Sequence, residues 1–482
     1  YEPIWDNGEN GTPVNDANTY ALYVWNMVNV YKDYVKFWEV WNEPDVDNGN
    51  AWKEPGMEGN WWENPYQPCE TKLKAPPYYY VRTLRVTYEI VKKLDPDDYV
   101  CVGGLGWPSY LDAICRYTDN PFDGTVTAQY PRQGGAYFDC MSFHSYPHID
   151  NSLREWDNSL RGFRYSRHSD RAIEGLWKLK GKFDKVLKNY GYDGIHSPEK
   201  VWICTEFNTP RKQYGDYLGS DESQVNFMIK ALVTAQMENM AQMHIYSLAD
   251  EKPEALATNE FGYMGMFKNL EGVMPYQREP TSMAWAYKTT SDLLSKSKYD
   301  PARTRLLNLP SNIRGAAFRD SLGRHTYVLW AVTTLDRDEK ASAQYAFPSD
   351  FGIEFVELKN WQYSDNKLHQ LVNAQQVPLT GSPVFITPTR LTNNYPKVPK
   401  LTPNPTFNGG TVLEFWMFED GPVTVDIFDM AGRHIETLLK GEEFLRGPHS
   451  VLMDVSNLPY GVYAIWMRTQ YSSQTVRLVY HR

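Results

Sequence analysis

Apolar residues along this chain fall into two spacings, and the spacings alternate. Short runs that are unbroken or alternating read as strands, and longer segments with apolar residues three and four apart read as helices. The strand runs are centred on Ile4, on 35–43, 99–104, 137–143, 201–208 and 243–248. Between them, helical spacing covers about 15–33, with Asn15 or Asp16 as its cap, and then 77–94, 110–117, 173–190 and 222–239. Residues 262–267 and a helix over 281–294 complete this part of the chain. Strands that alternate with helices predict an α/β fold with a parallel sheet. From about 297 the spacing changes to short alternating strands: 313–318, 325–332, 344–347, 355–358 and 384–387. Turn residues separate them, which predicts a β-sandwich. Asn393 to Lys400 is punctuated by proline and reads as a linker. A second all-β segment runs to the end of the chain.

Two strands end on a glutamate. Val35-Lys36-Phe37-Trp38-Glu39-Val40-Trp41 leads into Asn42-Glu43-Pro44-Asp45, and Pro44 cannot continue a central ladder. Val201-Trp202-Ile203-Cys204-Thr205 leads in the same way to Glu206, Phe207 and Asn208. A lone loop glutamate is ordinarily a solvated surface group. Two of them at the carboxyl ends of separate α/β strands sit where a barrel places its chemistry. They also supply the acid and the nucleophile that glycoside hydrolysis needs.

The pair Trp-Asn-Glu-Pro and Thr-Glu-Phe resembles the clan of retaining glycoside hydrolases built on a (β/α)8 TIM barrel, and within it the family 39 group. The resemblance covers residues 1 to about 290. It implies that Glu43 is the acid/base, that Glu206 is the nucleophile, and that Asn42 bonds the sugar 2-hydroxyl. His144 and Tyr146, after the 137–143 strand, would orient the nucleophile or touch the sugar. Trp107, Trp61, Trp62, Asn208 and Tyr246 are further candidate substrate-binding residues. Glu39 shares the Glu43 side of the pleat but lies deeper, and reads as structural. The strands found are fewer than the eight of a closed barrel. The N-terminal strands are therefore expected to be absent from this chain, with Ile4 in the third strand of the barrel. The expected organisation is a catalytic barrel at 1–295, a β-sandwich at 296–391, a linker at 392–402 and a final domain at 403–482.

The final domain resembles the C-terminal sorting domain of the type IX secretion system. Pro403-Asn404-Pro405, the alternating Val423 to Asp429, Leu458-Pro459-Tyr460-Gly461 and the terminal Val476 to Val479 carry that resemblance. It implies export across the outer membrane of a Bacteroidetes-type bacterium, to the medium or the cell surface. The alternative is an ordinary carbohydrate-binding sandwich.

Composition narrows the partners. A net charge of −10 with no basic run argues against nucleic acid and anionic membranes. No apolar stretch reaches the length of a membrane span. Aromatics are 15% of residues, so rings are available to stack on sugars, although most will be core. The long aromatic insertion at 46–76 is either a substrate wall or a flap over the barrel top. Arg154, Arg161, Arg164, Arg167 and His168 are either a patch for an acidic sugar or the solvated face of a helix. The five cysteines have no metal-like spacing. Cys101, Cys140 and Cys204 fall in strands as small hydrophobes, while Cys69 and Cys115 are a conceivable pair. No cofactor and no metal is expected. The rival to an enzyme is a glycan-binding or structural surface protein on a degenerate barrel.

Overall fold

In the computed structural model the described residues are 1–46, 62, 75–149, 152–214, 219–389, 398–470 and 472–481. The chain divides into two compact units: one of residues 1–152, 172–208 and 238–246, the other of 153–171, 209–237 and 247–482. This division cuts across the expected 1–295 domain.

The first unit is built on a parallel sheet. Its strands are β1 (Phe37–Val40), β2 (Tyr99–Val102), β3 (Cys140–Ser145), β4 (Val201–Phe207) and β5 (Met240–Ile245), hydrogen-bonded in that order. Consecutive parallel neighbours need crossover segments. Helix Pro77–Leu94 provides the one between β1 and β2, and Pro108–Arg116 lies in the one between β2 and β3. All six residues of β3 are buried, as expected for a central strand covered on both faces. One face is layered. Cys101, Cys140 and Ile203, with Phe37, Tyr99 and Val201 against them, form an apolar cluster toward the amino ends. Toward the carboxyl ends the same face carries Glu39, Ser142, His144 and Thr205.

Two expectations for this unit are corrected. Ile4 is buried but lies in no strand: the neighbouring Trp5 makes an isolated antiparallel bridge to Val14. The turn-rich segment between them folds the chain back on itself, with Gly8 N bonded to Asp6 Oδ1 and Asp6 N to Pro13 O. Among the described residues the sheet therefore has five strands and does not close into a barrel. The first helix, Thr19–Tyr31, starts later than expected. Its cap is Asn18, whose side chain accepts from Ala21 N, while Asn15 instead bonds Ala17 N and the Pro3 carbonyl.

The second unit holds two sandwiches. An antiparallel sheet of 370–373, 355–359, 384–389, 325–331, 313–320 and 297–299 is buried on both faces. Strict alternation explains how. Tyr327, Leu329 and Ala331 point into a core with Tyr345, Phe347 and Ile386, and Val328 and Trp330 point the other way. That other side packs on Val225, Ile229 and Val233 of helix Asp221–Met237 and on Ala286 and Leu294 of helix Ser282–Leu294. Under this layer lies a buried polar cluster. Lys230 Nζ donates to Ser169 Oγ and Asp170 Oδ2, both at 2.8 Å. Asp170 also accepts from Trp330 Nε1 at 2.9 Å and Thr333 Oγ1 at 2.7 Å. Ser169 donates to Glu339 through N and Oγ.

The C-terminal sandwich pairs a sheet of 400–402, 410–417 and 447–454 with one of 434–444, 421–429, 461–469 and 473–480. Val423, Val425 and Ile427 alternate into its core against Phe415, Ile465 and Leu478. The expected linker over 392–402 ends in a paired strand, Lys400–Thr402, and residues 392–397 lie outside the described ones. Residues 262–267, expected to complete the barrel, form a short 3-10 turn (Glu260–Tyr263) and a bridge from Phe267 to Ala249 in this second unit.

The segment expected as a helix face at 151–170 is a hairpin, Arg154–Asp157 paired with Gly162–Tyr165. Three of its basic residues have partners within the protein. Arg164 pairs with Asp157 at 2.6 Å, Arg167 pairs with Asp336 at 2.5 Å, and Arg154 lies over the Phe163 ring at 4.2 Å. No free cationic patch results from these three. Among the described residues no helix is long and apolar enough to cross a membrane.

Candidate active site

Glu43 stands just beyond β1 on strained backbone. Trp41 has φ +74° and Glu43 has φ +48°, left-handed values that side-chain-bearing residues seldom adopt. Strain of this kind gathers at functional sites, where the surrounding structure holds it in place. Here Glu43 N bonds Gly103 O at 3.0 Å, and Val46 N closes a turn onto Glu43 O. Tyr80 Oη completes the clamp, donating to Val40 O and accepting from Gly103 N, each at 2.8 Å.

Glu206 is aimed by a bulge. Across β3 and β4 the register passes from Phe143↔Cys204 to His144↔Glu206, so Thr205 is the extra residue. Against β5 the register also skips between Cys204 and Phe207. A bulge breaks the alternation of faces. Thr205 and Glu206, adjacent in sequence, therefore both reach the polar end of the layered face.

The two glutamates meet at His144, which is buried at the end of β3. His144 Nδ1 lies 2.8 Å from Glu43 Oε1 and 3.5 Å from Glu206 Oε2. One donor atom from each of Glu43, His144 and Glu206 falls within 4.8 Å of the others. Tyr146 Oη donates to Glu206 Oε2 at 2.6 Å. The carboxylates thus have different partners, a phenol for one and an imidazole for the other, as a division of labour requires. Burial pushes the Tyr146 phenol well above its usual range and the Glu206 charge adds to this, so Tyr146 stays a donor. Burial pulls His144 down, but the Glu43 hydrogen bond and the Glu206 charge outweigh it and hold the imidazole above its ordinary value. Both carboxyls are open to solvent, with side-chain exposures of 29% for Glu43 and 24% for Glu206.

The other expected site residues divide. Asn42 is exposed beside Glu43. Tyr246 is half-buried and meets the Tyr146 ring edge-on at 6.0 Å. Trp107 is half-buried at the start of helix Pro108–Arg116. Asn208 is fully buried, and its Nδ2 donates to the Tyr246 carbonyl at 2.5 Å, so it braces the ends of β4 and β5 instead of facing a sugar. Trp62 is likewise buried, edge-on against Tyr110. Trp61 and Cys69 lie outside the described residues. Cys101, Cys115, Cys140 and Cys204 are all buried, and burial pushes the Cys115 thiol up to about 12.

Four residues of the site were not singled out for it. Glu39 is exposed, not deep, and its Oε1 accepts from Ser142 Oγ at 2.5 Å and Thr205 Oγ1 at 2.9 Å. Thr205 Oγ1 in turn lies 3.0 Å from His144 Nε2. Period-two alternation marks the face of Glu39, and that of Thr205 from Val201 and Ile203, but no local signal marks the bulge that turns Glu206 to the same face. Asp45 is the fourth. It is fully buried, its Oδ2 accepts from Gly106 N at 2.9 Å and Trp107 N at 2.8 Å, and its Oδ1 has no partner among the described residues.

Asp45 gives the chain a distinctive pH dependence. Burial, augmented by the Glu43 charge, outweighs the backbone hydrogen bonds and pushes its carboxyl up to about 7 from 3.8. Below about pH 4 the group is protonated in both folded and unfolded chains and carries no penalty. As pH rises from 4 to 7 the unfolded chain ionises first, so stability falls; above 7 the loss is complete. Its upper bound is about 4 kcal/mol. Urea midpoints of wild type and Asp45→Asn should therefore diverge between pH 4 and 7 in favour of the variant. The comparison cancels opposite contributions such as His148, which burial holds down at about 3.

No family model matches this chain, and no curated protein matches it. Among solved structures it is similar to the glucosidase from Croceicoccus marinus, at 13% identity over 92% of this chain and 73% of that one, TM-score 0.39. It is similar to the GH51 α-L-arabinofuranosidase from Thermotoga petrophila RKU-1 at 12% identity, 77% and 73% coverage and TM-score 0.41. The GH51 arabinofuranosidase from Xanthomonas axonopodis pv. citri gives 12%, 68% of each chain and 0.40. These neighbours are glycosidases by name; at such TM-scores the likeness is loose, and the geometry around Glu43 and Glu206 is what bears on chemistry.

Proposed function

We propose that this chain is a retaining glycoside hydrolase acting by double displacement. The observation that carries this reading is the convergence of Glu43 and Glu206, from β1 and β4, with oxygens within 4.8 Å. Retaining enzymes hold their carboxyl groups about 5 Å apart, while inverting enzymes leave room for a water at 6.5 Å or more. Glu206, held by Tyr146, attacks the anomeric carbon as the glycosidic C–O bond breaks. Glu43 gives its proton to the departing oxygen, then takes one from the water that releases the sugar. Asn42, exposed beside Glu43, bonds the 2-hydroxyl. The C-terminal sandwich serves export to the cell surface or medium through the type IX machinery.

The test is a panel of aryl glycosides and polysaccharides, with the anomeric configuration of the first-formed product followed by proton NMR. Hydrolysis with retained configuration supports the reading, and inverted product overturns it. A second reading draws on the open sheet and the exposed Glu39: a non-catalytic glycan-binding protein. Binding of an oligosaccharide without turnover of any substrate would establish that one.

A further inference from the structure

Counting hydrogens around His144 fixes more than the positions of the heavy atoms. Glu39 Oε1 is a carboxylate oxygen and only accepts. It faces the hydroxyls of Ser142 at 2.5 Å and Thr205 at 2.9 Å. Each hydroxyl has one hydrogen; that of Ser142 goes to Glu39, and for that of Thr205 the carboxylate oxygen is a stronger acceptor than the Ser142 oxygen or a neutral ring nitrogen. The Ser142 and Thr205 oxygens, 2.9 Å apart, then have no hydrogen between them. With its hydrogen on Glu39, Thr205 Oγ1 turns lone pairs toward His144 Nε2 at 3.0 Å, which makes Nε2 the donor. The identity of the hydrogen on one ring nitrogen is set by the partner of the other. With Nε2 occupied, the hydrogen in the 2.8 Å contact between Nδ1 and Glu43 Oε1 belongs either to Glu43 or to an imidazolium.

We infer that Glu39 and Thr205 are positioning residues that hold His144 in the Nε2–H form, so that its Nδ1 accepts from protonated Glu43 and keeps Glu43 supplied as an acid. This rests on the glycosidase reading and extends it to residues that touch no sugar. Without the constraint the neutral ring can place its hydrogen on Nδ1 and donate to a Glu43 carboxylate. That state has no proton for the leaving oxygen. The loss therefore falls on the step in which Glu43 acts as acid, where the C–O bond breaks and the proton passes from Glu43 to the departing oxygen. The charged and titratable groups around the ring are Glu43 and Glu39 from β1 and its end, Glu206 from β4, and Tyr146 beyond β3. The imidazolium alternative also carries hydrogen on Nε2, so the Thr205 contact is the same in both states.

Two different lesions should give the same result. Thr205→Val removes the acceptor for Nε2–H. Glu39→Leu frees the Thr205 hydroxyl to donate to Nε2 instead. In each, nitrogen-15 NMR of labelled histidines, with the His144 signals assigned by their loss in His144→Gln, should show a neutral ring with hydrogen on Nδ1. Wild type should show hydrogen on Nε2. Hydrolysis of a phenyl glycoside, whose leaving group needs protonation, should drop about 10- to 100-fold. A dinitrophenyl glycoside of the same sugar, whose leaving group needs none, should stay within about threefold. Thr205→Ser should recover the Nε2–H signature and most of the phenyl rate. Hydrogen on Nδ1 in wild type, whether in a neutral ring or an imidazolium, or equal losses on the two substrates, overturns the inference. Should wild type hydrolyse no glycoside, the enzymatic reading falls, and the imidazole spectra still decide where the hydrogen lies.

Discussion

Glu206→Gln should lower turnover by about 10⁴-fold or more, the range seen when the nucleophile of a covalent mechanism is removed. Glutamine keeps the shape and one acceptor, so Tyr146 can still donate to it at a distance near the present 2.6 Å. The loss should therefore appear in kcat, with sugar binding intact by calorimetry. The amide cannot form the glycosyl ester. Glu43→Gln should behave differently. Its activity on a dinitrophenyl glycoside should slow at deglycosylation, and added azide should restore turnover by attacking the glycosyl-enzyme without base assistance. A Glu206→Gln protein that hydrolyses substrate at the wild-type rate would remove Glu206 from the chemistry altogether.

The second large effect concerns stability. Lys230 and Asp170 are both fully buried, and their 2.8 Å contact is surrounded by Trp330, Thr333 and Ser169. Removing one partner of such a pair leaves an uncompensated charge in low dielectric, which costs about 3–5 kcal/mol. Lys230→Met should lower stability by this amount in urea unfolding followed by tryptophan fluorescence. Adding Asp170→Asn should return a substantial part of it, because the amide carries no charge to strand. That non-additivity distinguishes a stranded charge from lost packing, for which the second substitution would only add to the damage. Burial works against Asp170, but Lys230 holds its carboxyl below the usual range, so the ionised pair is the state to perturb.

How far the sequence carried depends on the range of the contact. Helix Pro77–Leu94 was placed to the residue because apolar spacing and two flanking prolines mark it locally. The alternating strands after 297 were placed within a few residues for the same reason. Glu43 and Glu206 were found because a proline and a strand end are both local signals. What failed was non-local. The Ile4 run looked like a strand, yet the turn at 6–13 folds it back to Val14 before it can reach the sheet. The 154–165 hairpin was hidden in a charged stretch whose arginines pair with Asp157 and, far along the chain, Asp336. Asn208 and Trp62 looked like cleft residues by position, but burial is decided by what packs above them. No local signal marks the bulge that turns Glu206 onto the face where the pleat already puts Thr205.

Gly103 and Gly104 leave the cleft with very little room for drift. A methyl group on Gly103 would stand 2.3 Å from the Val40 carbonyl oxygen, and one on Gly104 only 2.1 Å from His144 Nε2, on backbone at φ +46°. An exposed side chain such as Asn42 can be exchanged without a clash, since it projects into solvent. These two positions cannot, because the backbone of Val40 and Trp41 lies against Gly103 and the imidazole rests on Gly104. Any descendant that keeps this arrangement of Glu43 and His144 inherits both glycines as fixed points.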